Sequence, residues 1–249
     1  MSRPTLVAVA HGSRDPAAKA AIAELAREVS RFAPVIDVRV AFIQHAEPSL
    51  DDELSAAGGN AVVVPLLLST GYHLATDIAG AASAAGVRVA GPLGPDTLLV
   101  TALASRLAEA GVPDGTPVVL AAAGSTDPAA QRDAERQAEL LAERLEVPVT
   151  TGFLSAAEPS VAEAVAELAA RTGRDVAIAT YLLAPGHFHD QLATAGARWV
   201  TAPLGGHPAM AGLVIDRYRM ASRRAVPEAA AVTVAAAETV AETVLAASA

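Results

Sequence analysis

Two histidines stand where a metal ion could bind. His11 directly follows the apolar run Thr5–Ala10, and His73 comes a few residues after the apolar run Ala61–Leu68. Neutral imidazole is a good ligand for Fe²⁺, Co²⁺, Ni²⁺ and Zn²⁺, and it also accepts a proton near neutral pH. Because the carboxyl ends of parallel strands meet at one edge of a sheet, two such side chains can converge on one ion. The alternative is that each histidine is a polar strand end that hydrogen-bonds to a loop.

A carboxylate follows the intervening apolar run, Val35–Phe42. Glu47 lies just after that run, where it could accept a proton or attract a cation. Alternatively, its Glu-Pro-Ser sequence simply begins a helix, because Glu158 repeats it where there is no histidine pair. Gln44 and His45 are weaker candidates, since the alternation of side chains would direct only one of them to the site.

Strand-like and helix-like patterns alternate along the chain. Long helical stretches cover Pro16–Phe32 and Pro128–Leu145, and an Asp-Pro pair begins each as a cap followed by a first-turn proline. Continuous apolar strands that alternate with helices indicate an α/β fold with a parallel sheet covered on both faces. The predicted strands are Thr5–Ala10, Val35–Phe42, Ala61–Leu68, Val87–Ala90, Val118–Ala122, Val147–Phe153, Val176–Leu183 and Trp199–Ala202.

The chain repeats itself once. HGSRDPAA returns as AGSTDPAA, AFIQHAEPSL as GFLSAAEPSV, VPLLLSTGYH as TYLLAPGHFH, and AGPLGPD as TAPLGGHP, in the same order. We therefore expect two similar lobes related by a pseudo-twofold axis, each a small parallel β-sheet flanked by helices. The predicted limits are 1–112 for the first lobe, 113–225 for the second and 226–249 for an Ala-rich tail without assigned chemistry.

The repeat does not reproduce the histidine pair. Ala123 stands in place of His11, and Phe188 stands in place of His73. The predicted metal site therefore belongs to the first lobe alone. The remaining histidines of the second lobe are predicted to lie on the surface or at the edge of a ligand site, and they are His187, His189 and His207.

The composition excludes several classes of function. A formal net charge of −9 argues against nucleic acid and against an anionic membrane surface as partners. No segment has the length of a membrane span, and the absence of cysteine excludes disulfides and thiolate metal sites, so the expected compartment is the cytoplasm. The nucleophile elbow of hydrolases, the phosphate loop, the zinc-protease helix motif and the dinucleotide fingerprint are all missing. Ala10 also stands where histidine phosphatases carry an arginine.

Four segments together resemble a known family. AHGSRDP, AFIQHAEPSL, VVVPLLLSTGYHLATDI and GPLGPD, in this order, are similar to the sirohydrochlorin chelatases, the CbiX/SirB branch of the class II tetrapyrrole chelatases. The resemblance covers roughly residues 5–220, including the duplication found in longer members. It implies an enzyme that inserts Fe²⁺ or Co²⁺ into sirohydrochlorin, towards siroheme or cobalamin, without ATP. The metal is then a substrate, and no permanently bound cofactor is expected.

The resemblance also assigns roles to residues. It implies that His11 and His73 are metal ligands and catalytic residues. Members often carry a glutamate where this chain has Gln44, so Glu47 is the nearest carboxylate and is taken as the third catalytic residue, while His45 could compensate. The residues expected to bind the carboxylates of the tetrapyrrole lie at helix starts and strand ends, and they are Gly12, Ser13, Arg14, Ser69, Thr70, Gly71, Ser125 and Thr126.

Two questions stay open at this point. The sequence does not choose between Fe²⁺ and Co²⁺, because both suit a histidine site. A non-catalytic carrier of tetrapyrrole or metal is the alternative function, and a generic α/β hydrolase or phosphatase is disfavoured by the missing motifs. The expected partners are the tetrapyrrole and the metal ion, and the duplication would let a monomer supply both lobes.

Overall fold

Two four-stranded parallel sheets, one in each half of the chain, form the framework of the protein. The computed structural model describes residues 3–70 and 72–223, with the backbone alone for 72–75. The sheets have the strand orders β2-β1-β3-β4 and β6-β5-β7-β8, so the second repeats the topology of the first. All pairings are parallel, for example Leu6 with Val38 and Val118 with Ala177. The predicted fold class, two similar α/β lobes, is confirmed.

The elements follow one another in the same order in both halves. The first half consists of β1 (Thr5–Ala10), α1 (Pro16–Phe32), β2 (Val38–Phe42), α2 (Leu50–Ala56), β3 (Ala61–Pro65), α3 (Tyr72–Ala84), β4 (Arg88–Val89) and α4 (Thr97–Glu109). The second half consists of β5 (Val118–Ala122), α5 (Pro128–Leu145), β6 (Val149–Phe153), α6 (Val161–Thr172), β7 (Ala177–Tyr181), α7 (His187–Gln191), β8 (Trp199–Val200) and α8 (Pro208–Ser222). None of the helices in the described ranges could cross a membrane.

The local sequence explains where the longest helices begin. Asp15 and Asp127 cap α1 and α5, because each carboxylate accepts a hydrogen bond from the backbone N–H two residues later. The proline that follows each aspartate fits the first helical position, where its missing N–H has no partner to lose. The predicted bounds of both helices, Pro16–Phe32 and Pro128–Leu145, are confirmed.

Several predicted strands are too long. The run Ala61–Leu68 leaves the sheet after Pro65, and Val176–Leu183 leaves it after Tyr181. The leucines beyond these points are apolar because they line a cavity between the sheets rather than because they extend a strand. Val35, predicted to begin a strand, lies before β2 and is 67% exposed.

The two halves exchange helices across their boundary. Helix α4 packs on α5 and on strand β7 of the second half, whereas α8 packs on α1 and on β3 of the first half. The largest apolar core consequently contains residues of both halves, such as Leu6, Leu103, Leu120 and Val214. Each sheet has a smaller core on its outer face. The limits 1–112 and 113–225 stay predictions, and the predicted tail 226–249 lies outside the described residues.

Candidate active site

His11 lies on a loop that packs tightly against the loop after the neighbouring strand. The loop between β1 and α1 contacts the loop after β2, where the Gln44 N–H donates to the His11 carbonyl oxygen at 2.9 Å. Gly12 has a φ of 98°, and a Cβ at this position would clash with the Gln44 carbonyl oxygen. Only glycine meets both demands, because it adopts positive φ freely and has no side chain. Gly12 therefore sets the backbone that presents His11.

A second imidazole lies beside His11. His45 adopts a left-handed backbone with a φ of 60°, an uncommon conformation for a residue with a side chain. The ring centres of His11 and His45 are 6.3 Å apart, with 80° between the ring planes. Both side chains are exposed at the carboxyl edge of the first sheet. Sequence alternation made His45 a weak candidate, because the left-handed turn that places it is not visible in a strand pattern.

A cavity of about 520 Å³ opens between the carboxyl ends of the two sheets. Its volume is within the usual range for small-molecule sites. Its lining is mainly apolar and comes from both halves of the chain: His11, Leu66, Leu67, Leu68, Ser69, Ala122, Ala123, Gly124, Ser125, Ala130, Phe153, Tyr181, Leu182 and Leu183. A smaller cavity of about 160 Å³ adjoins it and shares His11, Leu66 and Leu183.

The structure brings only some of the predicted substrate-binding residues to these cavities. Ser69 and Ser125 line the larger cavity, whereas Gly12 and Ser13 line the smaller one. Arg14 and Thr126 are exposed and line neither of the two, and Thr70 is bonded to a side chain of the other half. Gly71 lies outside the described residues.

The two serines occupy equivalent turns. The Ser13 Oγ accepts a hydrogen bond from the Asp15 N–H at 3.0 Å, and the Ser125 Oγ accepts one from the Asp127 N–H at 3.1 Å. A hydroxyl group that accepts such a bond can still donate its own hydrogen. Both hydroxyl groups lie at the edge of a cavity, where they can donate to a ligand.

The other predicted catalytic residues are placed differently. Glu47 is exposed and lines neither cavity. His73 belongs to the first turn of α3, and its side chain lies outside the described residues. Within the described part of the chain there is no group of three or more histidine, aspartate or glutamate side chains arranged for a metal ion.

The histidines of the second half make local contacts. The His187 Nε2 lies 2.7 Å from the Gln191 side-chain nitrogen, and the His189 Nε2 lies 3.2 Å from the Thr201 carbonyl oxygen. The His207 Nδ1 accepts a hydrogen bond from the N–H two residues later and so caps α8. None of these three histidines lines the larger cavity.

Sequence reasoning missed the wall opposite His11. Phe153, Tyr181 and Leu183 belong to apolar runs that were interpreted as strand interior, although each lies at or beyond a strand's carboxyl end. Burial raises the pKa of the Tyr181 phenol above its ordinary value, and the negative charges of Asp133 and Asp96 raise it further. The phenol is thus a hydrogen-bond donor. The signal that could have found it is a polar aromatic residue at the end of a buried strand.

The sequence matches one family model. The CbiX family model matches residues 5–110 and 117–221, so it matches each half of the chain separately. The two matches together cover most of the chain and end close to the limits of the repeat.

Individual proteins agree with that match. The sirohydrochlorin ferrochelatase of Bacillus subtilis is 28% identical over 238 residues, which cover 87% of this chain and 91% of the relative. The sirohydrochlorin cobaltochelatase of Methanosarcina acetivorans is 28% identical over 123 residues, 42% of this chain and 95% of the relative. The solved structure of SirB from Bacillus subtilis with Fe³⁺ matches with a TM-score of 0.78 at 27% identity, covering 88% of this chain and 95% of that one.

Proposed function

The chain belongs to the CbiX family, and we propose that its cleft inserts a divalent metal ion, Fe²⁺ or Co²⁺, into sirohydrochlorin. This is a lyase reaction of siroheme or cobalamin biosynthesis, and it proceeds without ATP. The observation that supports it most is the cavity between the two sheets, in which His11 borders an otherwise mainly apolar lining.

The chemistry of the cavity suits a macrocycle. Leucine, alanine and phenylalanine side chains can cover the faces of a planar ring, because burial of apolar surface is favourable. The carboxylates of the ring need local donors, since the protein's net charge of −9 repels an anion. The Ser13 and Ser125 hydroxyl groups are candidate donors, because each accepts one bond and can still donate its own hydrogen.

The metal ion needs a site that holds it loosely. His11 and His73 are the ligands in this proposal, and water completes the coordination so that the ion can leave. His45 supplies a further imidazole beside His11. Two imidazoles on one ion have ring centres roughly 5 Å apart when each metal–nitrogen bond is about 2.1 Å. The rings of His11 and His45, at 6.3 Å, are a small movement from that spacing.

The reaction also releases two protons. Each pyrrole N–H that the metal replaces loses its hydrogen as the metal–nitrogen bonds form. An imidazole that gives up the metal regains its lone pair and can accept one of these protons, which is general-base catalysis by a positioned side chain. His11 borders the cavity and is the described residue best placed for this step.

Further proposals concern Glu47, the oligomeric state and the compartment. Glu47 would act as an acid or base only from the loop outside both cavities. The reaction needs no permanently bound cofactor. One chain supplies both walls of the cleft, so we propose that the protein acts as a monomer. We also propose that it acts in the cytoplasm. We expect neither nucleic acid nor an anionic membrane as a partner, because the net charge of −9 repels both.

The test is anaerobic incubation with sirohydrochlorin and either Fe²⁺ or Co²⁺, followed by absorbance. Metal insertion well above the spontaneous rate is expected, and this rate should collapse in His11→Ala while His187→Ala serves as a control. Binding of the tetrapyrrole without faster insertion would instead identify a carrier.

A further inference from the structure

The segment that leads to His73 is held by the other half of the protein. Residues 66–70 follow β3 and are the described part of the connection to α3, which begins at Tyr72. The Asp133 carboxylate on α5 accepts hydrogen bonds from the Thr70 N–H at 2.8 Å and from the Thr70 hydroxyl at 2.5 Å, through one oxygen. The Tyr181 hydroxyl donates to the Leu68 carbonyl oxygen at 2.7 Å. Two side chains of the second half therefore bind two consecutive parts of this segment.

The contacts made by Asp133 lie at an exposed position, whereas the Tyr181 side chain is buried. A carboxylate that accepts two hydrogen bonds makes charge-assisted interactions, which are stronger than those between neutral groups. Tyr181 is buried, and removal of its hydroxyl would leave the Leu68 carbonyl oxygen without this donor in an apolar environment. In the first half the residue equivalent to Tyr181 is Leu66, because Leu6 pairs with Val62 as Val118 pairs with Ala177, and leucine has no hydroxyl group.

The arrangement is not a consequence of the repeat. Asp133 is the sixth residue of α5, and the sixth residue of α1 is Ala21, which cannot accept a hydrogen bond through its side chain. Thr70 precedes the glycine before α3, and the residue before the corresponding glycine of α7 is Pro185, which lacks an N–H. The second half therefore holds this loop of the first half, and the repeat provides no equivalent contact in return.

We propose that Asp133 and Tyr181 are positioning residues for the metal site. They fix the segment 66–70 and thereby the direction in which α3 begins, with His73 in its first turn. The inference rests on the proposed role of His73 as a metal ligand. In this arrangement the first half supplies the ligands, and the second half determines where one of them stands.

The test uses matched variants of the full chain. Asp133→Ala removes the acceptor, and Glu135→Ala removes the same charge from an exposed position two residues away on α5. Tyr181→Phe removes the hydroxyl, and Tyr218→Phe removes another hydroxyl that donates to a backbone carbonyl oxygen, that of Pro4. The measurements are the dissociation constant for Co²⁺ alone, the rate of metal insertion and the thermal unfolding midpoint.

We expect Asp133→Ala to weaken Co²⁺ binding by about tenfold, the lower end of the effect of outer-sphere partners at metal sites. Tyr181→Phe should weaken it several-fold, and neither control should change it. Asp133→Asn should retain most of the Co²⁺ affinity, because an amide oxygen still accepts both bonds. If Asp133 acted only through its negative charge, Asp133→Asn would instead weaken Co²⁺ binding as much as Asp133→Ala. A change in stability without a change in Co²⁺ affinity would overturn the proposal.

Combination with His73→Ala separates the possible failures. If Asp133 acts through His73, Asp133→Ala should cause no further loss of Co²⁺ affinity in the His73→Ala background. Normal affinity in Asp133→Ala and Tyr181→Phe, together with impaired His73→Ala, would overturn the positioning role and leave the proposed function intact. Normal affinity and normal insertion in His73→Ala would overturn both.

Discussion

The loops that follow β1 and β2 have backbones similar to those of the loops that follow β5 and β6, but they present different side chains. Gly12 and Gly124 have φ values of 98° and 91°, and in each case a Cβ would clash with a carbonyl oxygen of the loop after the neighbouring strand. His45 and Ala156 are both left-handed, with φ values of 60° and 57°. These shared features are what both halves need in order to fold.

The differences lie in the side chains that these backbones present. Where the first half has His11 and His45, the second half has Ala123 and Ala156. A repeated feature is explained by the fold, and an unrepeated one calls for another explanation. The comparison supports the proposed metal-binding role of the imidazoles, and it gives the glycines a structural role. By the same reasoning Glu47, which Glu158 repeats in an equivalent turn, is the weakest of the predicted catalytic residues.

The largest expected effect comes from making the first loop resemble the second. His11→Ala reproduces the residue found at 123 and should reduce metal insertion roughly 10²–10⁴-fold, the usual contribution of a positioned acid or base. Its unfolding midpoint should stay close to that of the wild type, because the side chain is exposed. Rates of insertion under anaerobic conditions measure the loss. Full activity in a folded His11→Ala protein would show that the two loops do not differ in function.

The glycines should behave alike in both halves. Gly12→Ala and Gly124→Ala should each lower the free energy of unfolding by about 1–3 kcal/mol, because each would impose a strained backbone as well as the clash with a carbonyl oxygen. Gly80→Ala is the control, since nothing lies within 4 Å of its Cβ position and alanine favours a helix. Urea unfolding of the three variants gives the comparison. A large loss for Gly12→Ala and none for Gly124→Ala would contradict a shared structural role.

A third variant tests whether His45 adds to the site. His45→Ala reproduces the residue at 156 without changing the turn, because alanine already adopts this conformation there. We expect Co²⁺ affinity to fall by up to about tenfold, less than for loss of His11. Isothermal titration with Co²⁺ alone measures it, and His187→Ala serves as the control. Unchanged affinity would leave His11 and His73 as the only imidazole ligands.

The smallest expected effect concerns the caps of the last helix in each half. Asp96 caps α4, and His207 caps α8 through a neutral Nδ1. Partial burial lowers the pKa of His207 below its ordinary value, and the nearby Arg106 lowers it further, while Glu109 opposes them. A lowered pKa means that the unfolded chain binds the proton more readily. The stability that this group contributes is thus present above about pH 6.5 and is lost as the pH falls.

The corresponding measurement compares His207→Asn with the wild type by urea unfolding at pH 7 and pH 5. Asparagine caps a helix without titrating, so the wild type should lose more stability than the variant on acidification, by less than about 1 kcal/mol. Titration of all other groups is common to both proteins and cancels in the difference. An equal loss of stability in both proteins would exclude His207 as the source of the pH dependence.

Local signals in the sequence were sufficient for some of these features. The bounds of α1 and α5 follow from an aspartate and a proline at each start, and the location of the cleft follows from the rule for parallel sheets. The ends of β3 and β7 could not be predicted in the same way. Leucines that line a cavity and leucines that continue a strand have the same hydropathy, so the period of the pattern does not separate them.

Contacts between distant segments were also beyond a local pattern. The hydrogen bond between Asp133 and Thr70 joins two polar residues that lie far apart in the sequence. No pattern of apolar residues indicates that they meet. The packing of α4 on the second sheet and of α8 on the first likewise depends on how the two halves meet. Such pairings are fixed by the three-dimensional arrangement of whole elements, which the spacing of apolar residues within one element does not encode.

The position of the metal ion itself tests the central claim most directly. Anomalous scattering from a crystal exposed to Co²⁺ would locate the ion without any assumption about the reaction. The account predicts one cobalt at the carboxyl edge of the first sheet, with imidazole nitrogens of His11 and His73 about 2.1 Å away. A cobalt bound instead by His187 or His189, with none near His11, would contradict it.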